Sequence, residues 1–491
     1  MTVAPLTPHS RHSNWRQRLL RLMPWHRRLA LLACCSVFVW ALTGVLHPLM
    51  TNLQPRPAVL QPPPANLLLQ ELQAPASVLA AAGIDKVQAL RLLALDGEPY
   101  YQARLPGRAE PRYWHARSGV AADLDARHAE RLARHYLGST EPLNYRGSLD
   151  AFNGEYAFVN RLLPVARVDT QRDDGLRLYV DLYHDRLGTL VDERKAWFST
   201  LFQALHSFHW LNTTGPLRLI VMGLLLTVLL ATALLGISLF VARRKAHSRL
   251  RRVHGWLGVG VALTTCSFAV SGGWHLWHKA TALPAPTSFS PDYSVVQLSA
   301  TPDSRWLGAG EQAHGLSLVS LDGELVWRLE YLSVDGSRGA HWRSGTGQPL
   351  ATGTDDRYLG QHFGHYANAL GLGPLQEITR QDRFDHEYGF LFKRLPVFKA
   401  RYADEQHTAL YIDPLDGALA ARVNDRDRAE GWIFAYLHKW EALGHLGKPT
   451  KDVLVTGLAL AHLLVAGLGL WLWRGRRNPR QAKSVEASLR G

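Results

Sequence analysis

The chain has 491 residues, of which 47% are hydrophobic and 20% charged, and its formal net charge is +14. This length favours two or more folded domains. All of the positive excess lies in the short segments 1–28, 243–255 and 474–491, each with six Lys or Arg and at most one acid, and the rest of the chain is slightly acidic. The charge therefore gives no support to a nucleic-acid partner.

Four stretches contain no Lys, Arg, Asp or Glu and each exceeds twenty residues: 29–50, 219–242, 256–277 and 453–473. At 1.5 Å per residue, a helix of that length crosses the roughly 30 Å hydrocarbon layer of a bilayer. A buried core helix is the alternative for any one stretch, but globular helices average about 11–12 residues. The sequence thus predicts four transmembrane helices embedded in membrane lipid.

The basic segments all flank the same ends of these helices, which is the pattern of the positive-inside rule. It predicts a cytoplasmic tail at 1–28, a cytoplasmic loop at 243–255 and a cytoplasmic tail at 474–491. Residues 51–218 and 278–452 then lie outside. The three cysteines, Cys34, Cys35 and Cys266, fall within the predicted spans, so the outer domains need no disulfides.

The two halves of the chain match at regular intervals, which predicts a tandem duplication. Both halves enter the membrane from the same side, so the repeats are parallel and their pseudo-two-fold axis is expected along the membrane normal. The matches pair 40–47 with 268–275, 95–98 with 321–324, 154–158 with 386–390, 178–181 with 410–413, and the closing glycines Gly236 and Gly469.

Both outer segments have the pattern of an α+β domain. Short alternating strands are predicted at 89–95, 100–105, 325–332 and 408–412, with a helix at 125–137. The fold class is therefore an α-helical membrane protein, a four-helix bundle arising from a parallel duplication, with one α+β domain per half.

Histidines occur at both ends of the predicted spans. The same spacing separates His26 from His47 and His254 from His275, and along a helix it corresponds to roughly 31 Å, about the thickness of the bilayer core. Two more, His206 and His438, precede the second helix of each half. Neutral imidazole can ligate haem iron axially. Interfacial histidines also occur simply with their polar tips towards the headgroups.

A cofactor on the pseudo-two-fold axis would take the same residue from each repeat. His26 with His254 would hold a haem on the cytoplasmic side. The outer haem would be held by His47 with His275, by His206 with His438, or by a mixed pair, and spacing alone does not choose among them. His462 lies inside the fourth span, where a polar side chain is usually functional. It is predicted as a haem ligand, a quinone contact or a hydrogen-bond partner of a neighbouring helix.

Several short motifs carry a resemblance to a known family. They are His-Gly-Trp-Leu-Gly at 254–258, Leu-Thr-Gly at 42–44, Leu-His at 205–206 and 437–438, and the strands 178–181 and 410–413 with their turns. Over nearly the whole chain this arrangement resembles the PepSY-associated transmembrane proteins, whose members include bacterial inner-membrane ferric-siderophore reductases. The run at 25–29 lacks the family's glycine, and the outer domains look large.

This resemblance implies two b-type haems in the helical core and two periplasmic PepSY-like domains that face a ferric siderophore. It also implies location in the bacterial inner membrane. Carried over by position, the candidate ligands are His26, His206, His254, His275 and His438, with His47 next. No catalytic residue is predicted. The cytoplasmic pieces are too short for a flavin or nicotinamide domain, so electrons are expected from quinol or a separate reductase. A homo-oligomer is compatible with the sequence.

The first hypothesis is therefore a haem-dependent ferric-chelate reductase. The alternative is a haem-free PepSY membrane protein that binds peptide or protein and regulates an envelope protease or sensor. A transporter built on parallel repeats is disfavoured because the spans lack ionisable residues other than histidines.

Overall fold

A computed structural model describes residues 14–108, 110–243, 248–282 and 292–477. Internal contacts divide the chain into two compact units. The helical unit comprises Met1–Leu53, Trp197–Leu283 and Asp427–Gly491, and the sheet unit comprises Gln54–Ala196 and Pro284–Arg426. The predicted basic segments lie partly outside the described residues, at 1–13, 244–247 and 478–491.

The described residues form ten α-helices, most of them in the helical unit. Short 3-10 segments occur at Phe158–Asn160, His209–Thr214, Val295–Gln297, Ser304–Trp306, Phe390–Phe392 and Glu441–Leu446, and a π-helical turn at Phe434–His438 follows α9. The helices are α1 Asn14–Leu20, α2 Met23–Leu53, α3 Pro75–Ala81, α4 Asp125–Leu137, α5 Glu193–Leu205, α6 Leu217–Ala242, α7 Arg249–Ala280, α8 Thr354–Leu370, α9 Asp425–Ile433 and α10 Lys448–Arg477.

The strands of the described residues lie in the sheet unit. In chain order they are β1 Lys86–Val87, β2 Ala89–Leu95, β3 Glu98–Arg104, β4 Arg112–His115, β5 Ala121–Ala122, β6 Leu143–Leu149, β7 Val165–Thr170, β8 Arg177–Asp181, β9 Arg186–Val191, β10 Tyr293–Ser294, β11 Glu311–Leu321, β12 Glu324–Ser333, β13 Arg338–Ser344, β14 Leu375–Gln381, β15 Val397–Tyr402, β16 Ala409–Ile412 and β17 Leu419–Val423.

Four of the helices, α2, α6, α7 and α10, are long and apolar enough to cross a membrane. Each contains one of the four predicted stretches, so the prediction of a multi-pass membrane protein is confirmed at this level. Neighbours in the bundle are α2 with α6, α6 with α7, α7 with α10, and α10 with α2. At most 28% of any span is buried inside the chain. The outward apolar surface therefore suits contact with lipid.

A seven-stranded sheet contains strands from both halves of the chain, in the order β13-β12-β11-β2-β3-β4-β5. Its central antiparallel pair joins β2 to β11, with Arg91 opposite Ser317, Leu90 opposite Leu318 and Leu92 opposite Leu316. This pairing is symmetric, because exchanging β2 and β11 leaves the same positions opposite each other. Each half would otherwise leave an unpaired strand edge, and pairing the two edges satisfies their N–H and C=O groups.

Two four-stranded antiparallel sheets have the same strand order, β6-β7-β8-β9 and β14-β15-β16-β17. Helix α4 packs on the first sheet through Leu132 and Tyr136, which are buried with Leu178 and Val180. Helix α8 packs on the second sheet in the same way. The sheet unit is thus α+β, as expected, and α4 has the predicted bounds.

The prediction of one separate outer domain per half missed the shared sheet. Alternating strand patterns give the strands but not which edges pair, because an edge can pair with any other extended edge that meets it. Strand β2 has the predicted bounds, whereas β3 begins two residues earlier and β16 one residue later than predicted.

Candidate functional site

The candidate site lies in the helical unit. We call the end of the bundle that carries Arg27 and Arg252 the basic end, and the opposite one the far end. At the far end, the rings of His206 and His438 face each other, with centroids 6.4 Å apart and planes at 89°. An imidazole nitrogen lies about 2 Å from a bound metal and the ring centre about 1 Å behind it, so rings sharing one ion have centroids roughly 6 Å apart. The pair therefore has the separation of two ligands of one ion.

Hydroxyl groups of the first helix in each half orient these two rings. Nδ1 of His206 lies 2.9 Å from Oγ1 of Thr43, and Nδ1 of His438 lies 3.1 Å from Oγ of Ser271. Both hydroxyl protons are already donated to carbonyls of their own helices, at 2.8 Å in each case. The oxygens therefore accept from Nδ1–H. This tautomer leaves the Nε2 lone pair of each ring available for a metal.

Aromatic packing keeps the two rings neutral and fixed. Phe202 stacks on His206 at 4.4 Å, and Phe434 stacks on His438 at 4.7 Å. Burial, with a smaller contribution from His47, lowers the pKa of His206 to about 4. Burial and the neighbouring His206 lower the pKa of His438 to about 3. Both imidazoles are thus uncharged near neutral pH, the state in which imidazole binds metals.

His47 and His275 belong to the same far-end cluster. The His47 ring lies 6.1 Å from that of Phe202, and the His275 ring lies 4.7 Å from that of Phe434. Nδ1 of His275 is 2.5 Å from a carboxylate oxygen of Glu430. The four outer histidines therefore lie together, and the pair at single-ion separation is His206 with His438.

At the basic end, His26 and His254 line one cavity of about 970 Å³. Nδ1 of each is buried and has no hydrogen-bond partner among the described residues. Buried polar atoms without partners are rare in folded proteins. These two rings therefore have binding capacity that the protein itself does not use.

Glycines shape the cavity against both rings. A Cβ added to Gly236 would lie 3.4 Å from Cε1 of His26, and one added to Gly469 would lie 3.3 Å from Cε1 of His254. Only a residue without a large side chain lets the imidazoles sit against helices α6 and α10. The cavity wall is otherwise mainly apolar, with Arg243, Arg251 and Arg252 at its basic end.

His462 also lines the cavity, but both of its ring nitrogens lie within hydrogen-bond distance of protein groups. Nδ1 lies 2.7 Å from the carbonyl of Leu458, and Nε2 lies 3.0 Å from Oγ1 of Thr265 and 3.3 Å from Oγ1 of Thr264. Of the three roles predicted for His462, this arrangement favours a hydrogen bond to the neighbouring helix α7.

One aromatic side chain links the two ends of the bundle. The Phe268 ring lies 5.5 Å from that of His438 and 6.2 Å from that of His462. Rings in van der Waals contact therefore lead from the far-end pair to the cavity. In the first half, Trp40 stands where the second half has Phe268, and Leu229 stands where it has His462. Leucine has no ring, so the series of ring contacts is not the same in the two halves.

The sheet unit contains a separate buried cluster, in which ligand atoms of His184, Asp413 and Asp416 lie within 4.8 Å of one another. Arg186 donates to Asp413, and Arg394 donates to it at 2.9 Å. Burial opposes protonation of His184, but Asp181 and Asp416 raise its pKa. The arginines already neutralise the Asp413 carboxylate. The cluster is therefore a buried ion-pair network.

Sequence reasoning found the histidines but missed the groups that orient them. Thr43 and Ser271 were visible as matched hydroxyl residues in the aligned helices, and this signal could have identified them. Phe202 and Phe434 also stand at matched positions, each four residues before the histidine that it stacks on, and the same signal could have identified them. Glu430 gave no such signal, because the matching residue of the first half is Phe198.

Comparison with known proteins adds no identification. No protein-family profile matches the chain, and no curated protein matches it either.

Proposed function

We propose that this chain is a membrane di-haem electron-transfer protein that reduces a ferric siderophore or similar ferric chelate. The observation that carries the proposal is the far-end pair. His206 and His438 have the separation of two ligands of one ion, and Thr43 and Ser271 leave both Nε2 atoms free. Matched residues from the two halves supply the pair, as expected for a cofactor on the axis of a parallel duplication.

The basic-end cavity suits a second haem. His26 and His254 offer buried nitrogens without partners, and the wall is apolar. Haem carries two carboxylates on one edge, and the arginines at the basic end of the cavity are suitable partners for them. When bound there and at the far end, b-type haem would supply one-electron transfer.

The chain's own residues would hold the haems, orient the ligand rings and keep water away from them. Thr43 and Ser271 fix the tautomers, while Phe202 and Phe434 exclude water from the rings. Phe268 and His462 connect the two ends by ring contacts. Electrons would enter at the basic end, from quinol or a separate reductase, and leave at the far end.

The proposal includes the cellular setting inferred from the sequence. The protein would belong to the PepSY-associated transmembrane group of the bacterial inner membrane, with its termini cytoplasmic and its PepSY-like sheets periplasmic. The matching strand orders of the two four-stranded sheets support the duplication that this assignment requires.

The decisive test is the absorption spectrum of the purified full-length protein. We expect a b-type difference spectrum between the dithionite-reduced and oxidised forms, with about two haems per chain. Anaerobic addition of a ferric chelate to the reduced protein should return the oxidised spectrum and release Fe(II). A colourless, folded protein that binds a peptide would contradict the proposal and favour the haem-free regulator.

Enlarging the glycine beside His26 should remove the basic-end haem. We expect Gly236→Leu to lose about one haem per chain, because the side chain must occupy the space against the imidazole. Gly236→Ala should keep it, since its Cβ makes only ordinary contact. Gly223→Leu is the matched control, because nothing lies within 4 Å of its Cβ. Equal haem loss in the control would point to general misfolding.

A further inference from the structure

Two loops of the sheet unit share one arrangement of exposed ring and basic residue. In the first, the turn Phe158–Asn160 precedes Arg161, and in the second, the turn Phe390–Phe392 precedes Lys393. Both basic residues have left-handed backbones, with φ of 65° and 64°. Glycine is normally preferred there. Both loops therefore hold a long cationic side chain where the backbone disfavours one.

The frame of each loop is rigid. The side chains of Tyr156 and Tyr388 are completely buried, and their hydroxyls donate to the carbonyls of Leu162 and Arg394 at 2.9 and 3.0 Å. These bonds close each loop just beyond its basic residue. The backbone that carries each basic side chain is thus held in place.

Neither cation is neutralised by the protein. Within the described ranges, Arg161 and Lys393 form no ion pair and no side-chain hydrogen bond, whereas the neighbouring Arg394 is paired with Asp413. The guanidinium of Arg161 lies 4.6 Å from the ring centre of Phe158 and 5.4 Å from that of Phe392, so it bridges the two loops. A guanidinium stacked on rings keeps its N–H edge for an anion.

A third cation extends this surface. Burial and the nearby Lys393 lower the pKa of Lys195 to about 8, and burial lowers the pKa of Lys393 as well. Nζ of Lys195 donates to Oγ1 of Thr189 at 2.9 Å and to the carbonyl of Leu190 at 2.6 Å, so Lys195 adds positive charge to the surface more than free donors. Beside these cations, the rings of Phe158 and Phe390 are 61% and 66% exposed. The surface thus offers positive charge and flat apolar faces together.

We propose that these paired loops bind an anionic ferric chelate with aromatic groups, of the tris-catecholate class. Three cations contributed by adjacent segments complement a highly negative complex, and the exposed phenyl rings can stack on catechol rings. This inference rests on the proposed function, because it names the class of substrate. Anionic lipid headgroups present the same charge, so the experiment must separate the two sources.

The test measures binding without reduction. Full-length protein in nanodiscs of zwitterionic lipid is titrated with a gallium(III) tris-catecholate, which cannot be reduced. The R161Q/K393Q double variant should raise the dissociation constant about tenfold for each cation removed. An uncharged gallium tris-hydroxamate should bind no more tightly to wild type than to this variant. The control R305Q/K86Q removes the same charge elsewhere on the sheet unit, where Arg305 is exposed and paired with Asp303.

Each possible result of this experiment either supports or overturns chelate binding by the paired loops. Unchanged affinity in R161Q/K393Q, or an equal loss in R305Q/K86Q, would overturn the loop site. Loss of chelate binding when anionic lipid replaces zwitterionic lipid would assign the loops to headgroups and also overturn it. Since gallium binding needs no haem, a colourless protein that still binds the chelate through Arg161 and Lys393 would refute electron transfer while leaving this site intact.

Discussion

Under the proposed function, the His438→Ala variant is expected to lose the far-end haem and to keep the one at the basic end, giving about one haem per chain instead of two. Its ring is one half of the pair with His206, and alanine offers no replacement ligand. His254→Ala should show the complementary loss. Haem per chain, measured after extraction, gives the count, and the reduced-minus-oxidised spectra show which of the two signals remains.

The matched control is His462→Leu, which installs the residue found at the equivalent position, Leu229. Both nitrogens of His462 lie within hydrogen-bond distance of protein groups, so this variant should retain both haems. It should nevertheless slow electron transfer between them if the contact with Phe268 serves as the connection. Haem loss in His47→Ala and His275→Ala with full retention in His438→Ala would instead assign the outer haem to that other pair.

The sequence predicts which histidines lie near the ends of the spans but not how they pair. Spacing places His47 and His275 at the ends of spans because a helix has a fixed rise per residue. His206 and His438, by contrast, follow α5 and α9, and their separation depends on how those helices pack on the bundle. Periodicity carries no information on such packing, so only the structure brings these two rings together.

In the sheet unit, too, the sequence predicts local elements but not the contacts between distant segments. Strand β2 and helix α4 follow from local patterns, because alternation and helical periodicity are properties of short segments. The pairing of β2 with β11 and the network around Asp413 join residues more than two hundred positions apart. Such contacts depend on the exposed edges and charges of both halves at once, which no single segment encodes.

This buried network gives the second large expected effect. The Asp413 side chain is fully buried, and it accepts from Arg186 and from Arg394, whose side chains are 5% and 16% exposed. Burial alone would raise the pKa of Asp413, but the two arginines, opposed in part by Asp416, hold it below its usual range. Asp413→Ala would leave the buried Arg186 guanidinium without its carboxylate, and Arg394 with only the Asp416 carboxylate at 3.9 Å.

Removing one partner of a buried ion pair typically costs about 3–5 kcal/mol, because the remaining charge stays desolvated. We expect Asp413→Ala to lower the free energy of unfolding of the sheet unit by about that amount. Amide hydrogen exchange of the full-length protein measures it, as a loss of protection of roughly 10²–10³-fold in β8 and β16. The four membrane helices should keep their protection.

Asp382→Ala is the matched control for this change. Asp382 pairs with Arg380 at 3.0 Å, but their side chains are 60% and 43% exposed. Exposed pairs contribute about 0–1 kcal/mol, so protection should hardly change. Equal protection in Asp413→Ala and wild type would mean that water reaches both arginines once the carboxylate is gone. In that case the network would specify how the two four-stranded sheets meet without stabilising them.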